Sequence, residues 1–128
     1  MLYCLDTNIV IDLFHGDPAI LKKSRDLVGS TCVAPITLAE LYEGAIGHPR
    51  EQQLVAGIGQ FMQSSELLDF SRVACELYGK THAQLRKKGT LVSKSDLMIA
   101  SVAQANGAVL VTRDKALHAL PGIRVEVW

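Results

Sequence analysis

Near its start the chain carries the stretch LYCLDTN (residues 2–8), where a short apolar run meets a carboxylate and two polar residues. We interpret Leu2–Leu5 as a buried strand and Asn8–Phe14 as the short helix after it. Four further apolar segments are predicted as strands, namely Thr31–Ala34, Glu66–Asp69, Val109–Val111 and Arg124–Val127. Helical patterns separate them. This alternation favours an α/β fold: one domain over residues 1–128, with a five-stranded, mostly parallel sheet flanked by helices.

Capping residues and prolines predict where the helices begin and end. The second helix is predicted to start at Asp17-Pro18, the third has its N-cap at Thr37, and the fourth follows Pro49. The longest helix is predicted over Ser71–Lys88. The next helix has its N-cap at Ser95 and ends at Asn106-Gly107, and a final short helix starts at Asp114. These boundaries leave short connections, as expected for a compact α/β domain.

Thirteen basic and thirteen acidic residues give a formal net charge of +0. A protein that coats nucleic acid passively is expected to be basic, so the balance argues against that class, but not against a nuclease whose acidic ligands offset a basic surface. No apolar run approaches the ~20 residues of a membrane-spanning helix, and no basic leader precedes Asp6. The three cysteines, Cys4, Cys32 and Cys75, form no pairing pattern, which predicts reduced thiols in a cytoplasmic protein.

Four carboxylates stand where the predicted sheet is expected to bind a ligand. In open α/β sheets, ligands lie in the crevice beyond the carboxyl ends of the strands. Asp6 directly follows the first strand, Glu40 comes one turn after the second, and Asp114 follows the fourth. Asp96 opens the helix that leads into the fourth strand. We therefore expect these four acids to converge at one edge of the sheet.

Each acid alone has a plain structural interpretation as a helix cap, a partner of a helix dipole or a solvated side chain. Thr7, Asn8 and Ser95 are available as caps, however, which frees Asp6 and Asp96 for another role. Clustered carboxylates repel one another and persist when a cation neutralises them. An all-oxygen ligand set without His or Cys is typical of Mg²⁺ or Mn²⁺. Glu43, one turn after Glu40, is the weaker candidate for the same pocket.

The stretches around these acids resemble the PIN-domain nucleases, specifically the VapC-type toxins of toxin–antitoxin pairs. The matching stretches are LDTN (residues 5–8), LAELYEG (38–44), DLMIA (96–100) and LVTRD (110–114). The resemblance implies a PIN-like domain, a homodimer, endonucleolytic cleavage of RNA that depends on one or two Mg²⁺ or Mn²⁺ ions, and a cognate antitoxin that occludes the site.

The resemblance also implies roles for individual residues. Asp6, Glu40, Asp96 and Asp114 occupy the acidic positions of the family, as catalytic residues and metal ligands. Thr7 and Thr112 match polar positions that orient those acids or their waters. Many relatives carry a further acid and an aromatic residue three and four positions after Asp114. This chain has Leu117 and His118 there, which leaves both one ion and two ions open.

The densest basic cluster precedes Asp96. This cluster is Arg86, Lys87 and Lys88. Together with Lys94, two residues before Asp96, and Arg113, next to Asp114, these residues are the candidates for RNA binding. They are interpreted either as a phosphate track beside the metal site or as solvated cations, some of which complement a helix dipole.

Three alternatives remain at this stage. A phosphoacceptor receiver domain is also an acidic α/β fold of this size, with Asp69 as a possible acid at the end of the third strand. A second alternative is a binding module that keeps the fold without catalysis, although all four acids are present. The third is an RNA-processing PIN nuclease outside a toxin pair.

Overall fold

The computed structural model describes all residues, 1–128. In chain order its elements are β1 (Tyr3–Leu5), α1 (Thr7–Phe14), α2 (Pro18–Asp26), β2 (Thr31–Val33), α3 (Pro35–Ala45), α4 (Glu51–Met62), β3 (Ser65–Leu67), α5 (Arg72–Lys88), α6 (Lys94–Ala105), β4 (Val109–Val111), a 3₁₀ helix (Lys115–Ala119) and β5 (Val125–Glu126). None of the helices combines the length and the apolar character needed to span a bilayer.

The five strands form one sheet in the order β3-β2-β1-β4-β5, and every neighbouring pair is parallel. This confirms the predicted five-stranded α/β fold. From the central strand β1 the chain first builds the sheet through β2 and β3, and then adds β4 and β5 on the other side of β1. The strand order therefore reverses between β1 and β4, and a crevice is expected beyond their carboxyl ends. Receiver domains have the order 2-1-3-4-5, so the receiver alternative is wrong.

Successive residues of β1 supply the cores on the two faces of the sheet, because side chains alternate along a strand. Cys4 belongs to the core beneath α5 and α6, with residues such as Ile99 and Val102. Leu5 belongs to the opposite core, with Ile9 of α1. Both faces of the sheet are thus covered by helices, as expected for an all-parallel sheet. The strand ends, rather than its faces, remain available for a site.

Three predicted helix starts differ from the structure. Helix α1 begins at Thr7, one residue earlier than predicted, because Asp6 acts as its N-cap and accepts a hydrogen bond from the Thr7 N–H. Helix α3 begins at Pro35 and not after Thr37, since proline at the first position needs no N–H partner. The N-cap of α6 is Ser93 and not Ser95, because the Ser93 hydroxyl oxygen accepts a hydrogen bond from the Asp96 N–H in the first turn of the helix.

The remaining boundaries agree with the sequence to within a few residues. Strand β3 is Ser65–Leu67 and β5 is Val125–Glu126, so both are shorter than predicted. The predicted end of α6 is correct: Asn106 is its C-cap, and Gly107 follows with a φ of 63°. A positive φ favours glycine there, because a side chain would crowd the backbone.

Candidate functional site

Asp6 lies at the switch point of the sheet, where β1 ends and α1 begins. Its backbone N–H donates to the carbonyl of Val111 on β4 (3.0 Å), which continues the pairing of the two strands. The Asp6 Oδ1 accepts from the Thr7 N–H and its Oδ2 accepts from the Thr112 hydroxyl, both at 2.8 Å. The residue is only 4% exposed. Asp6 thus has a buried carboxylate held by two hydrogen bonds and a backbone N–H held by a third. The interpretation that frees Asp6 from capping is wrong.

Glu40 is oriented by a short chain of hydroxyl groups. The buried Thr7 hydroxyl donates to Glu40 Oε1 (2.8 Å), and it lies 3.3 Å from the hydroxyl of Thr37. Thr7 belongs to α1 and Glu40 to α3, so this contact joins the helices that follow β1 and β2. Thr7 therefore contacts two of the predicted acids, Asp6 through its backbone N–H and Glu40 through its hydroxyl.

Asp96 and Asp114 reach the same edge of the sheet from the other side. Asp96 is half-buried in the first turn of α6, where its charge complements the helix dipole. Asp114 is exposed and caps the 3₁₀ helix, with Oδ1 accepting from the Ala116 N–H at 3.0 Å. The Asp114 N–H donates to the Thr112 hydroxyl oxygen (3.0 Å), the same hydroxyl that donates to Asp6. Thr112 thus links Asp6 to the segment that carries Asp114.

An open pocket of about 280 Å³ collects three of the four predicted acids. Its lining residues are Asp6, Thr7, Asn8, Ile11, Glu40, Glu43, Gly44 and Asp96. Asp114 does not line it. Two polar lining residues lay outside the main prediction. Asn8 was not predicted as a site residue, and Glu43 was predicted only as the weaker candidate. The spacing of Glu43 three residues after Glu40 was the available signal, since such residues share a helix face.

The pocket concentrates negative charge that no basic side chain neutralises. None of the ion pairs of the protein involves Asp6, Glu40, Asp96 or Asp114. Burial raises the pKa of Asp6 above its ordinary value, the Thr112 hydrogen bond opposes this, and the nearby charge of Asp96 raises the pKa again. The charge of Asp114 adds to the increase. The site therefore favours a bound cation.

The chemistry of the donors fits a hard divalent cation, because every ionisable lining group is a carboxylate and the remaining polar donors are oxygen or amide groups. In the present arrangement no group of three or more Asp, Glu, His or Cys side chains is placed so that it could hold a metal ion. The ligand set thus fits a divalent cation in its chemistry, although its carboxylates are not gathered at coordinating positions.

The five predicted RNA-binding residues fall into two groups. Arg86, Lys87 and Lys88 form the last turn of α5, Lys94 begins α6, and all four are exposed. Arg113 is engaged within the protein instead. Its guanidinium makes ion pairs with Asp17 (2.9 Å) and Asp12 (3.6 Å).

Replacement of Thr112 by valine is expected to lower the free energy of unfolding by about 1.5 kcal/mol in metal-free buffer at neutral pH, because Asp6 loses a hydrogen bond to its charged form. That hydrogen bond lowers the pKa of Asp6, so the loss is full when Asp6 is ionised. It should shrink as the pH falls through the raised pKa of Asp6. Urea unfolding at several pH values measures this. Thr112→Ser keeps the hydroxyl, and a pH-dependent loss in that variant as well would contradict the explanation.

The chain matches the PIN domain family over residues 3–123. It is 34% identical over 128 residues to the Ribonuclease VapC2 of Haemophilus influenzae, an alignment that covers 98% of this chain and 97% of the relative. It is also 34% identical, with the same coverage, to the tRNA(fMet)-specific endonuclease VapC of Salmonella typhimurium. The structure of a DNA-bound VapBC from Salmonella typhimurium superimposes with a TM-score of 0.94 at 34% identity, covering 100% of this chain and 99% of that one.

Proposed function

Because the chain belongs to the PIN domain family, we propose that it is a metal-dependent endoribonuclease and the toxin of a VapBC-type toxin–antitoxin pair. One observation carries the proposal: the family match coincides with a pocket of unneutralised carboxylates at the switch point of the sheet. VapC relatives and the VapC chains of solved VapBC complexes match nearly the whole chain, so the toxin role is favoured over RNA processing outside a toxin pair.

Asp6, Glu40 and Asp96 are the proposed ligands of Mg²⁺ or Mn²⁺, with Asp114 as a further acid at the rim of the pocket. When bound, such an ion supplies an activated water and stabilises the charge that develops on a phosphodiester during hydrolysis. The protein prepares this site through its hydrogen bonds. Thr112 and the Thr7 N–H hold the two oxygens of Asp6 in fixed directions, so this ligand needs no reorganisation.

Glu40 and Asp96 lie on opposite sides of Asp6, on α3 and α6. The Thr7 hydroxyl donates to one Glu40 oxygen and leaves the other to accept a proton or a water hydrogen bond. Asp96 lines the pocket from the first turn of α6. These three carboxylates therefore provide acceptors from three separate segments around one open pocket.

The exposed cations at the junction of α5 and α6 are the proposed phosphate contacts. The last turn of α5 presents Arg86, Lys87 and Lys88, and Lys94 lies two residues before Asp96. A path of positive charge beside an acidic centre is required because the centre itself repels the RNA backbone. This arrangement is compatible with a net charge of +0, since the acids and the cations offset one another.

The proposed protein partners are a second copy of the chain and an antitoxin. Two exposed apolar side chains, Val28 after α2 and Val73 on α5, support the dimer. A mostly apolar groove of about 410 Å³ adjoins the acidic pocket and shares Ile11, Glu40 and Gly44 with it, so a peptide bound there would cover the site. The three free cysteines are consistent with a reducing cytoplasm, where we place the protein.

The direct test is cleavage of structured RNA by the purified protein. The initiator tRNA is the first substrate to try, because it appears in the name of the Salmonella typhimurium relative. We expect discrete endonucleolytic fragments with Mg²⁺ or Mn²⁺ and none with excess EDTA. Undiminished cleavage in EDTA would refute the metal requirement alone, whereas the absence of cleavage for tRNA, ribosomal and messenger RNA would refute the ribonuclease assignment.

A further inference from the structure

Arg113 has more partners inside the protein than any other basic residue. Its Nε donates to the carbonyl oxygen of Trp128 (2.8 Å), and its Nη1 donates to Asp17 Oδ2 (2.9 Å). The same Nη1 lies 3.6 Å from Asp12 Oδ2. These contacts join the segment that follows β4 to α1, to the start of α2 and to Trp128, two residues after the end of β5.

The acceptors of Arg113 are themselves held in place. Asp17 is the N-cap of α2, and its other oxygen, Oδ1, accepts from two backbone N–H groups of that helix. Trp128 is 6% exposed and packs against Tyr3, with a distance of 5.9 Å between ring centroids. Its indole N–H donates to Glu126. An ion pair between groups that are already ordered loses less conformational entropy than an ordinary surface pair.

What Arg113 holds in place is the segment that supports the acidic site. Thr112 precedes it and donates to the buried Asp6 carboxylate, while Asp114 follows it and donates its N–H to the Thr112 hydroxyl oxygen. The Thr112 N–H is bonded to the Glu126 carbonyl at 3.1 Å. If this segment moved, Asp6 would therefore be displaced through its hydrogen bond with Thr112, and Asp114 would be displaced through the backbone.

The same contacts argue against a direct role of Arg113 in binding RNA. Two carboxylates, Asp12 and Asp17, already occupy the guanidinium, and their negative charge would repel a phosphate that approached it. Arg86, Lys87 and Lys88, the exposed cations of the last turn of α5, lack any such acidic partner among the ion pairs of the fold.

We propose that Arg113 is a positioning residue, which clamps the Thr112–Asp114 segment between α1, α2 and the Trp128 carbonyl and thereby fixes the geometry of Asp6 and Asp114. This inference rests on the proposed ribonuclease function for its catalytic consequence, but its structural part stands independently. Asp17, which accepts a hydrogen bond from Arg113, is the main residue of α2 in this contact.

The test compares Arg113→Gln with Asp17→Asn. Asparagine caps helices as well as aspartate does, so Asp17→Asn keeps the start of α2 and removes only the charge that Arg113 binds. If Arg113 positions the site, both variants should lower kcat by about three- to tenfold with an unchanged Kd for RNA, since small misplacements of catalytic groups are costly. The double variant should show the loss of one single variant and not the product of both.

An RNA-binding role for Arg113 predicts opposite signs. Arg113→Gln would then weaken RNA binding and reduce the salt dependence by about one phosphate contact, while Asp17→Asn would strengthen binding by freeing the guanidinium. That result would overturn the inference. Arg72→Gln is the matched control, because it breaks an exposed ion pair, with Glu76 within α5, that involves neither Arg113 nor its partners. It should leave kcat unchanged.

Amide hydrogen exchange provides a measurement that needs no RNA. The N–H groups of Thr112 and Asp114 should exchange faster in Arg113→Gln and Asp17→Asn, with no change in the core of α6 and none in Arg72→Gln. If the parent protein cleaves no RNA, the proposed function is wrong, and the exchange rates decide the inference alone. Unchanged exchange at Thr112 and Asp114 in both variants would overturn it.

Discussion

Asp6→Asn is expected to lower the rate of RNA cleavage by at least ~10²-fold, the largest effect of any single substitution in this protein. Asp6 is the most buried of the four acids and the only one with both oxygens held by hydrogen bonds. Asparagine has nearly the same shape and keeps one oxygen. It removes the negative charge that a divalent cation needs, and so it tests charge and not packing.

Single-turnover cleavage of the best RNA substrate, with Mg²⁺ in excess, measures this effect. Asp69→Asn is the matched control: Asp69 is exposed after β3, at the same edge of the sheet, and forms no ion pair. Its variant should cleave at the parent rate. A loss of less than about tenfold in Asp6→Asn would mean that Asp6 is a helix cap with no direct part in the chemistry.

The strand pattern made most of the site predictable. Asp6 and Asp114 follow predicted strands, and the carboxyl ends of parallel strands share one edge of the sheet, so their approach follows from topology. Asp96 and Glu40 were candidates from their positions as well, but a residue near the start of a helix points in a direction that periodicity does not specify, so the resemblance strengthened their assignment. The sequence also could not distinguish Ser93 from Ser95 as the cap of α6, since both are capping types two residues apart.

The role of Arg113 was the least accessible to sequence reasoning. Its neighbour Asp114 made it a candidate for phosphate contact, but its partners Asp12, Asp17 and Trp128 are distant along the chain. Long-range ion pairs follow from how loops meet, which local patterns do not encode. Glu43 was undervalued for the opposite reason: its helical spacing from Glu40 was visible, but nothing in the sequence showed that this face of α3 borders the pocket.

Asp6→Asn is also expected to make the metal-free protein more stable at neutral pH, because removal of the cost of burying the charge outweighs the change in the hydrogen bond with Thr112. Burial raises the pKa of Asp6 above its unfolded value, so ionised Asp6 opposes folding. This cost is absent below the ordinary pKa of aspartate and complete above the raised pKa of the folded protein. The gain from the substitution should therefore shrink as the pH falls towards the ordinary value.

Addition of Mg²⁺ should reverse the order of the two proteins. A cation that binds the folded state alone raises the free energy of unfolding by about 2.7 kcal/mol when its free concentration is 100 times the dissociation constant. The parent should gain this amount, whereas Asp6→Asn should gain far less because a central ligand has lost its charge. Urea unfolding of the parent, Asp6→Asn and Asp69→Asn, in EDTA and in excess Mg²⁺, measures both effects, and Asp69→Asn should behave as the parent in each.

An Asp6→Asn protein that is less stable than the parent in EDTA and responds fully to Mg²⁺ would show that the Asp6 carboxylate supports the fold and binds no cation. A variant that is stabilised, insensitive to Mg²⁺ and inactive would instead tie the burial of this one charge to the metal site, because misfolding could not produce that combination.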